Sequence, residues 1–113
     1  MSNLVHEINE LHAHLCQAIA DPKRILILYT LSDGPRNVTE IAEEYDLPQS
    51  TVSRHLKTLR ERGLVNTSRQ GNSITYSLAD PRVIEALDIM RSMLADIINQ
   101  NAFLAQQVED RLS

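Results

Sequence analysis

The sequence predicts a mainly α fold carrying one small β-hairpin, and three observations lead there. Apolar residues recur at helical spacing near both ends of the chain: Leu4, Ile8, Leu11, Leu15 and Ile19 at the start, and Val83, Leu87, Met90, Leu94, Ile97, Leu104 and Val108 at the finish. Helix-start and helix-stop residues punctuate the middle. Two strand-like runs, residues 64–68 and 74–78, flank the polar tip Arg69-Gln70-Gly71-Asn72-Ser73, which is a hairpin signal. A length of 113 residues suits one domain, 1–113, and a 42% hydrophobic content allows a core. With no Trp and one Phe, that core must be built mostly from Leu, Ile, Val and Ala. Chains this small often complete such a core by associating.

The elements follow in order. Residues 3–20 read as an amphipathic helix. Asp21-Pro22 resets the chain, Asp as N-cap and Pro at the first helical position. The run KRILILYTL is apolar nearly all round, which places it at the domain centre, and Ser32-Asp33-Gly34-Pro35 ends it. Asn37 and Glu40 have capping-box spacing for a short helix through Tyr45. Asp46-Leu47-Pro48 makes a turn. A basic helix follows and Gly63 stops it in a left-handed conformation. Two helices across a short turn, residues 37–62, form a helix-turn-helix. The hairpin over residues 64–78 then acts as a wing. Asp80-Pro81 repeats the Asp-Pro helix start. The last helix runs to about Asp110 with 4-3-4-3 apolar spacing over about four heptads, interrupted by one polar seam residue, Asn101, a residue type able to fix register between partners.

The most informative stretch is LPQSTVSRHLKTLRERGLV, residues 47–65. Val52, Leu56 and Leu59 fall on one side of its helix, while Ser50, Arg54, Lys57 and Glu61 fall near the other. One face therefore packs and the other offers hydroxyls and cations. The whole chain carries a formal charge of −4, which at first argues against nucleic acid. Between Gln49 and Gly71, however, Arg54, Lys57, Arg60, Arg62 and Arg69 stand against Glu61 alone, a local balance of +4 that leaves −8 elsewhere. Screening limits the reach of distant charges to roughly 10 Å at ordinary salt, so a local basic patch can bind DNA on an acidic protein.

Other classes are poorly supported. Cys16 is the only cysteine, so no intramolecular disulfide forms, which fits a reducing interior. The amino terminus has no long apolar run and does not read as a secretory signal. No segment is apolar and long enough to span a bilayer, and the expected location is cytoplasmic. No enzyme is expected: there is no phosphate-binding glycine loop, and Ser53 and His55 are too close on one helix to form an oriented dyad.

The run AIADPKRILIL, continued by TEIAEEYDLPQSTVSRHLKTLRERGLV and RQGNSITYSL, resembles the ArsR/SmtB family of bacterial transcriptional repressors. The resemblance covers the central half of the chain. It implies a winged helix-turn-helix dimerising through its first and last helices, residues 1–20 and 81–111. Such a homodimer sets two basic helices into successive major grooves of an inverted-repeat operator, and a signal releases the DNA. In the family, residues matching Gln49, Ser50, Ser53 and Arg54 meet the DNA, and His55 matches a position usually held by His or Gln. The physical reading agrees for the helix start, where side chains and unpaired N–H groups meet bases and phosphates. Arg54 can pair bidentately with guanine, while Lys57 and Arg60 suit phosphate. Arg69 suits a phosphate or the minor groove. With Thr51, these form the expected DNA-contacting set. The expected dimer contacts are Leu4, Ile8, Leu11, Leu15, Leu87, Leu94, Ile97, Asn101 and Leu104.

The family's metal sites are not matched. The stretch IAEEYDL has neither Cys nor His, and the last helix has Asp88 and Asp96 but no His, so no metal or other cofactor is expected there. His12 and Cys16, four apart on one helix face, are the remaining candidates for a metal or thiol site. A small buried thiol beside a surface histidine is the preferred reading of the pair. Met90 and Met93 read as packing residues before pocket residues. Two alternatives stand beside the repressor: a winged-helix protein-interaction module without DNA binding, and a thiol-redox regulator using Cys16. The inducer, if there is one, is not legible.

Overall fold

A computed structural model describes residues 2–112. The elements are α1 (Ser2–Leu11), a π-helical turn (His12–Cys16), α2 (Pro22–Ser32), β1 (Arg36–Asn37), α3 (Val38–Tyr45), α4 (Gln49–Glu61), β2 (Val65–Gln70), β3 (Ser73–Leu78) and α5 (Arg82–Leu112). Residues through Pro81 form one compact unit and those from Arg82 a second. Among the described residues no helix is long and apolar enough to cross a membrane.

The first unit is set by local signals that the structure realises. The Asp21 side chain accepts the Lys23 N–H at 2.8 Å and Pro22 opens α2. The Asn37–Glu40 capping box closes in both directions, at 2.8 and 3.0 Å. Asp46 ends α3 in the left-handed region (φ 52°), letting the Leu47 N–H reach the Ala42 carbonyl. Gly63 (φ 81°) does the same for α4, with Leu64 N–H on the Leu59 carbonyl at 2.9 Å. The core lies where α2, α3 and α4 meet: Ile27, Leu28, Ile41, Val52, Leu56 and Leu59 are fully buried. The α2 run is central as expected, although Leu26 remains exposed.

Three features differ from the sequence expectation. The hairpin is longer and its tip tighter: β2 and β3 pair from Val65–Leu78 to Gln70–Ser73, so Arg69 and Gln70 are strand residues. Gly71 (φ 62°) takes the first place of the two-residue turn, where a type II′ hairpin requires positive φ. A third strand, β1, pairs antiparallel with β3 through Arg36–Tyr76 and Asn37–Thr75, giving the order β1-β3-β2. The first helix is interrupted by the π-helical turn, where the Gln17 N–H bonds the His12 carbonyl.

The second unit is the single helix α5, 31 residues long. Its seam residues Met90, Leu94, Ile97, Leu104 and Val108 are all exposed. Leu87, expected among the dimer contacts with them, is 4% exposed.

Candidate nucleic-acid interface

Helix α4 turns its apolar row inward and presents Gln49, Ser50, Ser53, Arg54, Lys57 and Arg60 on the exposed side. Thr51 is half-buried. Among the described residues, Arg54, Lys57, Arg60 and Arg69 have no ion-pair or hydrogen-bond partner for their side-chain cations, which stay available to an anionic ligand. The Gln49 amide is held by α3, its Nε2 donating to Thr39 Oγ1 at 3.3 Å. The start of α4 has Pro48 as N-cap with no side-chain cap bond, and the first N–H groups of a helix lack intrahelical acceptors. Arg69 is exposed on β2, opposite Ile74 and one residue pair from the turn.

His55 corrects the expected set. It is 8% exposed and faces inward, away from the cationic side. Its Nδ1 lies 3.4 Å from Arg24 Nη1, and its Nε2 lies 4.0 Å from Asp21 Oδ2. The neutral ring fits both neighbours, with Nδ1 accepting from the guanidinium and Nε2–H directed at the carboxylate. Burial holds the imidazole below its ordinary value; Asp21 opposes this, while Arg24, Arg54 and Lys23 add to it. The Asp21 carboxyl is itself held low, chiefly by the Lys23 N–H. A histidine three residues after Val52 and four before Leu59 sits in the apolar row, and that spacing was the available signal.

Two arginines fasten the end of the first helix to this framework. Arg24 donates from Nε to the Ala18 carbonyl at 2.5 Å and from Nη2 to the Gln17 carbonyl at 3.0 Å. Arg62, at the end of α4, donates to the Ala13 carbonyl inside the π-helical turn at 2.6 Å. Arg62, part of the basic patch in the sequence, is thus committed to a bond within the fold.

Leu4, Ile8, Leu11 and Leu15 form an exposed row on the first helix, and on α5 Asn101 is exposed with its apolar neighbours. Cys16, for which a small buried thiol was the simpler expectation, is exposed. His12 is exposed too, and His14 pairs with Glu10 at 3.2 Å. Among the described residues no group of three or more His, Cys, Asp or Glu side chains is placed to hold a metal.

A family model described as bacterial regulatory protein, arsR family, matches residues 21–67. The chain is 47% identical over 76 residues to the HTH-type transcriptional regulator NmtR of Mycobacterium tuberculosis, covering 67% of this chain and 63% of that protein. It is 36% identical over 84 residues to a probable mercury resistance operon repressor of Streptomyces lividans, covering 74% of this chain and 67% of that one. Its fold resembles the solution structure of the homodimeric winged helix-turn-helix DNA-binding domain Mb0332 from Mycobacterium bovis. There the TM-score is 0.75 at 24% identity, over 88% of this chain and 92% of that one.

Proposed function

Because the chain belongs to the arsR family of bacterial regulatory proteins, we propose that it is a transcriptional repressor that binds an inverted-repeat operator as a homodimer. The observation that carries this reading is the exposed side of α4, where Arg54, Lys57 and Arg60 project from a helix-turn-helix with no partner of their own. Phosphate contacts from Lys57, Arg60 and Arg69 supply most of the affinity, and Gln49, Ser50, Ser53 and Arg54 read the bases. The exposed apolar rows of the first helix and of α5 support association of two copies. No metal or other cofactor enters this reading.

Fluorescence anisotropy tests it, using DNA from upstream of the protein's own gene against scrambled DNA across a salt series. Selective binding with a steep salt slope is expected. Arg54→Ala weakens that binding by about 1–3 kcal/mol if Arg54 pairs with guanine. Equal, weak binding to both DNAs at every salt would leave two readings: an operator elsewhere, or a protein partner as the ligand of the basic helix.

The exposed Cys16 thiol favours a second reading, release by oxidation. Cys16→Ser then abolishes any oxidant response, and a response that persists in the variant rules the thiol out.

A further inference from the structure

His55 is a buried imidazole with no part in the DNA contacts proposed above. It lies on the inward row of α4, between Val52 and Leu59, and is 8% exposed. Histidine is the side chain that ordinarily titrates closest to neutral pH. A buried one with both nitrogens facing partners changes its relations with them when a proton arrives.

Three elements build its surroundings. On α4 itself, Arg54 precedes the ring. From the start of α2 come the Asp21 carboxylate, 4.0 Å from Nε2, the Arg24 guanidinium, whose Nη1 is 3.4 Å from Nδ1, and the charge of Lys23. The end of the first helix reaches the ring only through Arg24. Its Ala18 and Gln17 carbonyls accept from Arg24 Nε at 2.5 Å and Nη2 at 3.0 Å. Arg24 thus commits two nitrogens to the first helix and the third to His55. Its side chain is 16% exposed, so water is a poor substitute for these partners.

This arrangement needs a neutral ring, because only then can Nδ1 accept from Nη1. A proton on Nδ1 sets N–H against N–H, and cation against cation, across the same 3.4 Å. It also sets two cations in competition for one oxygen: Asp21 Oδ2 lies 4.0 Å from both His55 Nε2 and Arg24 Nη1. A protonated ring therefore takes two partners from the guanidinium at once, its own Nδ1 and the carboxylate.

We infer that His55 is a proton-sensitive latch on the first helix. Neutral, it holds the Arg24 guanidinium over the Gln17 and Ala18 carbonyls; protonated, it lets that end of the helix loosen. The inference does not rest on DNA binding. Burial, more than the neighbouring cations, keeps the imidazole below its ordinary 6.5, against the pull of Asp21. The latch is therefore closed above that value and opens as pH falls through the lower midpoint of the folded chain. The Arg62 bond to the Ala13 carbonyl involves no imidazole, so the π-helical turn stays fastened while the residues after it are released.

NMR on the full chain tests this between about pH 7.5 and about pH 5, following the His55 ring together with amide exchange corrected for its intrinsic rate. The reporters are the Ile19 N–H, bonded to the Leu15 carbonyl, and the Ala20 N–H, bonded to the Gln17 carbonyl. Their protection is expected to fall about 3–5-fold with the midpoint of the His55 ring, while the Leu64 N–H at the end of α4 keeps its protection. His55→Gln, whose amide oxygen accepts from a guanidinium at any pH, is expected to hold the reporters constant. Arg24→Gln, which removes the cation, is expected to raise the ring midpoint.

Reporters that stay protected while the ring titrates overturn the latch. So does a pH dependence that persists in His55→Gln, which then belongs to His12 or His14 on the neighbouring turn. A ring midpoint unmoved in Arg24→Gln overturns it as well. If His55→Gln does not fold, the decision falls to two measurements: the coincidence of ring and reporter midpoints in the unaltered chain, and the Arg24→Gln shift.

Discussion

The helices of the central unit and the helix α5 use similar amounts of Leu, Ile and Val to opposite ends. In α2, α3 and α4 the apolar rows are consumed inside one chain, and Ile27, Ile41, Leu56 and Leu59 are all fully buried. In α5 the apolar row stays open, with Leu94, Ile97 and Leu104 at least half exposed. Periodicity alone does not distinguish these cases, since both rows repeat every three or four residues. What differs is length: the core helices run 8–13 residues, bounded by caps, whereas α5 runs 31. Burial in the core holds a fold together, and the open row of α5 is a surface in search of a second one.

The sharpest way to break that contrast is to delete the same side chain on each side of it. Leu56→Ala leaves a cavity in a fully buried site and costs about 2–5 kcal/mol in urea unfolding, whatever the protein concentration. Leu94→Ala is expected to lower the thermal midpoint only where the chain is concentrated enough to associate; a concentration-independent loss would show α5 to be part of the monomer core. Next in size is Arg62→Met, which keeps the aliphatic stem but removes the bond to the Ala13 carbonyl. It is expected to cost about 2 kcal/mol and to raise hydrogen exchange around residues 12–18 while leaving the β2–β3 amides protected.

Gly63→Ala tests the boundary between α4 and the hairpin. A Cβ there meets nothing within 4 Å, so the cost is the left-handed backbone alone, about 1 kcal/mol in unfolding. The smallest effect comes from His55. Its imidazole is held below 6.5 in the folded chain by burial, so the unfolded chain binds the proton first. Stability from this group is complete above pH 6.5 and declines as pH falls below it. His55→Gln is expected to flatten that part of a stability–pH profile, and an unchanged profile would place its origin elsewhere.

The parts of this fold legible in the sequence are those fixed by neighbours in the chain. Asp21-Pro22, Asn37 with Glu40, and Gly63 each declare a helix end through contacts within six residues. The winged helix-turn-helix followed from those marks. The illegible parts are made by residues distant in sequence. β1 is two residues long, too short for any period, and exists because β3 offers it an edge. The π-helical turn places its Ala13 carbonyl against a guanidinium 49 positions away. The exposed cationic face of α4 was readable because a helix repeats regularly.

The two guanidinium groups that hold the first helix act on one end of it only. Arg62 and Arg24 grip carbonyls at Ala13, Gln17 and Ala18, while the side chains of residues 3–11 are all exposed. Such a helix is a lever with its fulcrum beside α4. Its ten-residue arm is about 15 Å long, so a tilt of about 10° at the fulcrum moves the tip by roughly 2.6 Å. A rotation about those anchors would displace the far end of α1 most and the anchored end least.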